Sequence, residues 1–225
     1  MKSFVNLLKI TFTFMLFFSI YKLKGDVSMT ENMSQFHLTD ERVSDWNIAL
    51  KYLMNGNQRF IESIPIGNVL NESEKNNLID GQNPFAVVLT CSDSRVAPEI
   101  YFDQRHGDIF VVRNAGNICD SIAYGSIEYA VEHLRAPLLL VVGHSHCGAV
   151  SGAFDNAQLG GNIQKILDII VDHIESSENL EEAIFKNIYK VVENIKKNES
   201  IVKHETMVIG AYYDLVTGSV NFFIE

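Results

Sequence analysis

The chain has 225 residues, 47% of them apolar, and carries a formal net charge of −10 at pH 7 with a sequence pI near 5.1. That apolar share is enough to fill a core, which excludes a disordered chain, and the length favours one domain. The acidic balance excludes a surface built to hold nucleic acid or an anionic membrane, because a polyanion would be repelled over most of the protein.

At the N-terminus, Lys2 and Lys9 precede the apolar run ITFTFMLFFSIY at 10–21, and polar sequence follows. A bilayer span takes about 20 apolar residues, so this run is too short to cross one. A positive start ahead of a short apolar run is the pattern of a secretory signal peptide, although no small-x-small cleavage site follows it. Residues 1–25 are therefore expected to direct export, to a periplasm or out of the cell. A cytoplasmic chain with an arm resting on a membrane or a partner subunit is the alternative. Cys91, Cys119 and Cys147 are too few, and odd in number, for a disulfide framework. In an oxidising compartment a bound metal would protect reactive thiols by occupying their lone pairs.

From about residue 40 helical and strand patterns alternate without a repeat or a long linker, so 40–225 is read as one domain. The stretch 44–62 has Trp46, Leu50 and Leu53 at helical spacing, with Ser44 as a candidate N-cap and Gly56 as a weak point or break. The runs FAVVLT (85–90), DIFVV (108–112) and APLLLVVG (136–143) are apolar on both alternating faces, as strands of a parallel sheet are. Between the second and third, 120–134 places Ile127, Ala130, Val131 and Leu134 on one helical face behind a cap at Asp120 or Ser121, completing a βαβ crossover. Two amphipathic helices follow at 161–176 and 180–200, then a strand, a turn at Thr217–Gly218 and a closing strand. The expected fold is α/β, a largely parallel central sheet flanked by helices, with an N-terminal helical arm.

In open α/β sheets ligands collect beyond the carboxyl ends of the strands, and the reactive side chains of this chain lie there. Cys91 and Asp93 leave one strand, and His144 and Cys147 leave another. Two thiolates, an imidazole and a carboxylate suit tetrahedral zinc, although two buried cysteines and a capping histidine would account for the spacing equally well. A turn lets residues three apart converge, which favours His144 over His146 as the partner of Cys147. Arg95 stands two residues after Asp93 and can hold its carboxylate bidentately, in competition with a metal. Zinc would then keep Cys91, His144, Cys147 and an open fourth position, the arrangement of catalytic sites.

The motifs CSDSRV (91–96), GDIFVVRNAGN (107–117), GSIEYAVEHL (125–134) and GHSHCGAV (143–150), in this order, resemble a β-class carbonic anhydrase, and the likeness runs from about Trp46 to the C-terminus. The resemblance implies a zinc lyase that interconverts carbon dioxide and bicarbonate by attack of zinc-bound hydroxide. It implies Cys91, His144 and Cys147 as ligands, and Asp93 as a fourth ligand or as the partner of Arg95. By matching, Gln82, Phe110, Ala115, Tyr129 and Gly148 would bind or enclose the substrate, Arg113 and Asn114 would tie the loop after the second strand, and a homodimer or tetramer would complete the pocket. Val88 stands where bicarbonate-regulated members carry tryptophan, which favours the unregulated form. Cys119 is expected to be a packing residue, and His106 and His133 are candidate proton carriers. The rival readings are a carbonyl sulfide or carbon disulfide hydrolase on the same zinc, and a non-catalytic zinc-binding protein.

Overall fold

The computed structural model describes residues 42–67 and 69–223. The segment read as an export signal lies outside them. Among the described residues no helix is long and apolar enough to cross a membrane.

The first helix described, α1 (Trp46–Ile61), is capped by Asp45, whose side chain accepts from the Asn47 N–H, and not by Ser44, which stands one residue too early. Gly56 does not break it. A Cβ there would stand 1.7 Å from the Phe102 carbonyl oxygen, so the glycine lets the helix pass close to the chain that follows α3. A short helix α2 (Glu72–Asn77), closed by a capping box between Asn71 and Glu74, leads to β1 (Ala86–Cys91). Then come α3 (Pro98–Tyr101), β2 (Ile109–Asn114), a single 3-10 turn at Ala115–Asn117, and α4 (Ser121–Glu128), which widens into a π-turn at Tyr129–His133. Asp120 caps α4 by accepting from the Ala123 N–H at 2.9 Å. The remainder is β3 (Leu138–His144), α5 (Gly148–Phe154), α6 (Gly161–His173), α7 (Leu180–Lys196), α8 (Glu199–Val202), β4 (Met207–Tyr213) and β5 (Val220–Phe223).

The strand order is β2-β1-β3-β4-β5, with the first four parallel and β5 antiparallel to β4. β1 and β3 lie inside the sheet and are buried along their whole length, which is why they read as unbroken apolar runs. Successive side chains point to opposite faces. Val87, Leu89, Cys91, Leu139 and Val141 enter one core with α4 to α7, while Ala86, Val88, Leu138, Leu140 and Val142 enter a second with α1 and α3. The register sets Thr90 beside Val142, so Cys91 emerges level with the Gly143–His144 end of β3. Both strands deliver their last residue to the same edge of the sheet.

Candidate metal centre

At that edge Cys91, His144 and Cys147 converge, with their donor atoms all within 4.8 Å of one another. All three are buried: Cys91 is 5% exposed, Cys147 1% and His144 0%. The two Sγ atoms are 4.0 Å apart. Tetrahedral zinc with Zn–S bonds of about 2.3 Å would set two sulfurs about 3.8 Å apart, so the pair needs almost no adjustment to bind one. His144 Nδ1 lies 2.9 Å from the Ser145 carbonyl and donates to it, which leaves Nε2 as the ring's acceptor. Nε2 is buried without a hydrogen-bond partner, a costly state for a polar atom unless it has a metal to ligate.

The thiols carry the same signature. Their mutual hydrogen bond holds the Cys91 thiol well below its ordinary pKa and drives that of Cys147 well above it, burial adding to the rise, because two thiolates so close cannot both ionise unaided. A divalent cation would remove that conflict. The Gly116 N–H, 3.4 Å from Cys91 Sγ, also favours the thiolate. The residues present thus fit zinc in donor type, spacing and charge.

Asp93 is turned away from this cluster onto Arg95. The guanidinium donates twice to the carboxylate, Nε to Oδ1 at 2.9 Å and Nη2 to Oδ2 at 2.7 Å, and the Arg95 backbone N–H adds a third bond to Oδ1 at 2.9 Å. The arginine holds the Asp93 carboxyl well below the usual carboxylate range. Arg95 also reaches the His146 carbonyl at 3.3 Å, tying the first ligand loop to the second. His146 itself is exposed and takes a left-handed backbone (φ 56°), which turns the chain between His144 and Cys147.

Ala115 lies in the turn that passes Cys91. Gly148 opens α5 beside Cys147, with open space where a Cβ would stand. Gln82, Phe110 and Tyr129 stand apart from the cluster. Gln82 is exposed and precedes β1 at the strand end opposite Cys91, and Phe110 is four residues below Asn114 on β2, about 13 Å along the strand. Tyr129, 48% exposed, keeps company with Phe110 at a ring separation of 6.2 Å. His106 and His133 precede β2 and β3, at the amino-terminal edge of the sheet. Cys119 is half-buried, and burial raises its thiol to about 12, as an inert packing thiol requires.

Two contributors, Ser145 and Gly116, were not legible as such, and Arg113 ties the loop after the first strand, not the second as expected. Arg113 donates to the carbonyls of Cys91 (3.1 Å) and Asp93 (2.8 Å), clamping the first loop from the neighbouring strand. Ser145 fixes the second loop: its N–H donates to the Tyr213 carbonyl at 3.0 Å, and its Oγ accepts from the Leu215 N–H at 2.9 Å. Gly116 supplies the bond to the Cys91 sulfur. The arginine and the glycine stand inside the motif that drew attention to β2, but nothing in their spacing says which atoms they meet.

Fold and site together define a class: a parallel α/β sheet with a Cys–His–Cys metal cradle at its carboxyl edge, flanked by an aspartate–arginine pair. A family model described as carbonic anhydrase matches residues 86–220. A Mycobacterium tuberculosis protein named Carbonic anhydrase 2 is 34% identical over 184 residues, covering 76% of this chain and 89% of that protein. A carbonic anhydrase of Mycolicibacterium smegmatis is 43% identical over 130 residues, 56% of this chain and 63% of its own. Among solved structures, the β-carbonic anhydrase CcaA superposes with a TM-score of 0.61 at 26% identity, over 78% of this chain and 95% of that one. A tetrameric β-carbonic anhydrase from Sordaria macrospora, at 23% identity and TM-score 0.62, over 79% of this chain and 95% of that one, shares the fold. The chain belongs to the β-class carbonic anhydrase family, a family of enzymes.

Proposed function

We propose that this enzyme interconverts carbon dioxide and bicarbonate at a zinc ion held by Cys91, His144 and Cys147. The observation that carries this reading is the meeting of two thiols with an unpartnered imidazole nitrogen, beside a carboxylate already satisfied by arginine. When bound, zinc supplies the Lewis acidity that makes a hydroxide nucleophile available near neutral pH. The chain's own groups do the rest by position. Arg95 holds the Asp93 carboxylate in place and away from the cluster, where it stays an acceptor that can orient the nucleophile's proton. Arg113 and Ser145 fix the two ligand loops. Two thiolates donate more charge than three imidazoles would, so the active form is expected to gain toward alkaline pH.

The same proposal includes a homodimer or tetramer. The outer edge of β2 has no strand partner among the described residues, Gln82 precedes β1 and Phe110 stands near the start of β2, at the strand ends away from this chain's own cluster, and Tyr129 lies beside Phe110. They would serve a site only where the sheet edges of two copies meet.

The test is stopped-flow carbon dioxide hydration on protein whose zinc has been quantified. A rate proportional to zinc content and rising with pH is expected. Full zinc with no hydration would make the chain a zinc binder, and turnover of carbonyl sulfide or carbon disulfide alone would make it a hydrolase.

A further inference from the structure

Helix α7 packs against the sheet with Ala183, Ile184, Ile188, Val191, Val192 and Ile195, and in the middle of that apolar face stands Asn187, fully buried. An amide in such a place destabilises the core unless both its ends are bonded, and an apolar side chain would pack there at no such cost. Both ends are bonded. Nδ2 donates to the Gly116 carbonyl at 2.9 Å, and Oδ1 lies 2.8 Å from Nδ1 of His173 at the end of α6. A carbonyl can only accept, so the amide's orientation is fixed, and His173 must carry its hydrogen on Nδ1.

Gly116 is the residue whose N–H points at Cys91 Sγ. It is held in the left-handed region (φ 74°), and a Cβ there would come within 2.6 Å of Ile170 Cδ1 and 3.2 Å of Ala149 Cβ. Its N–H and its carbonyl belong to successive peptide units joined at one Cα, so the bond from Asn187 to the carbonyl restrains the backbone that presents the N–H to the sulfur. An N–H···S bond withdraws charge from a thiolate and fixes the sulfur's position, and such outer contacts tune the affinity and electronics of a metal site.

We infer that Asn187, oriented by His173, is a positioning residue for the Cys91 ligand, acting through the Gly116 backbone. The inference rests on the zinc-site reading above. Its test compares the full chain with Asn187→Leu, measuring zinc affinity by chelator competition and, in the cobalt-loaded protein, the sulfur-to-cobalt charge-transfer band. Asn187→Leu is expected to lose about 10-fold or more in zinc affinity and to shift the band, the scale on which such outer contacts act. His173→Phe, which leaves the bond to Gly116 but frees the far end of the amide, should move both readouts the same way by less. Asn57→Leu is the control. Asn57 is also buried, but it bonds Tyr101, Gly218 and Val220 on the other face of the sheet, so its loss should lower stability and leave the band alone.

Wild-type affinity and band in Asn187→Leu overturn the inference, as they do in His173→Phe should Asn187→Leu not fold. A band shift in Asn57→Leu equal to that in Asn187→Leu overturns it as well, because general loosening would then suffice. A wild-type chain that binds no zinc overturns the underlying site reading instead.

Discussion

The loop that follows β1 and the loop that follows β3 bring their thiol and imidazole groups to the same point, but they are held by different forces. Charge holds the first: Asp93 in the fork of Arg95, and the carbonyls of Cys91 and Asp93 on Arg113. Neutral bonds to β4 and the turn after it hold the second, through Ser145, with the His144 ring resting on the Ser145 carbonyl. The Asp93–Arg95 pair is open to water, with side-chain exposures of 18% and 53%. An ion pair so exposed contributes about 0–1 kcal/mol to stability. The pair is therefore a weak contributor to stability, whereas the buried bonds around Ser145 help hold the fold itself. One loop is a charged, exposed clamp and the other a buried, neutral mount.

The largest effect expected is on the buried side. Cys147→Ser removes a thiolate from a buried donor set and should lose both zinc and carbon dioxide hydration. Metal analysis showing full zinc in that variant would break the ligand assignment.

Next come the charged residues. Arg95→Ala frees the Asp93 carboxylate to fall onto the metal, and Asp93→Asn removes the partner that organises Arg95. Each should keep its zinc and lose hydration by about 10- to 1000-fold, the range for essential polar groups beside a reacting centre. Retained zinc with near-wild-type rates would reduce the clamp to a structural contact.

The pH dependence of that loss follows from the direction of the Asp93 shift. Its folded pKa lies below the ordinary carboxylate value of about 3.9, so the unfolded chain binds more protons in the acid window between the two. The stabilisation from the pair is complete above that window and fades only as pH falls through the folded value. From pH 6 to 9 the carboxylate is ionised with or without Arg95. Protonation of Asp93 therefore cannot relieve the block over that range, but hydroxide competing with the freed carboxylate would, so the ratio of wild-type to Arg95→Ala hydration rates should fall as pH rises; a constant ratio would show that the carboxylate is not the blocking group.

The smallest effect on rate belongs to Ser145→Ala, which leaves the Leu215 N–H without its acceptor. It should cost about 1–3 kcal/mol in urea unfolding while zinc content stays full. A stability unchanged from wild type would show that the second loop is held mainly by its other bonds.

Much of this was legible in the order of residues. Strands β1 and β3 announced themselves as apolar runs because both of their faces are covered, and the helix at α4 announced its start because Asp120 stands directly before it. The helical spacing around Gly56 was read as a weakness. A glycine's reason for being in a helix is set by what passes next to it, here the Phe102 carbonyl, which is 46 residues away in sequence. The candidate substrate residues show the same limit. Motif matching names Gln82 and Phe110 as substrate residues of a pocket completed by a partner subunit, and only the folded chain shows that they lie toward the end of β1 and β2 away from Cys91.

The sequence by itself determined the alternation of the strands, the edge of the sheet at which Cys91, His144 and Cys147 must emerge, and the donor chemistry they offer, because side-chain periodicity and short spacings act within a few residues. Tertiary structure alone decided the rest. It left His144 Nε2 without a hydrogen-bond partner, carried the Arg113 guanidinium from β2 to the loop after β1, and brought Asn187 of α7 to the backbone beside Cys91. These depend on which polar atoms remain unsatisfied once the helices close over the sheet. A buried hydrogen-bond partner is chosen by packing between elements distant in the chain, and no local pattern encodes it.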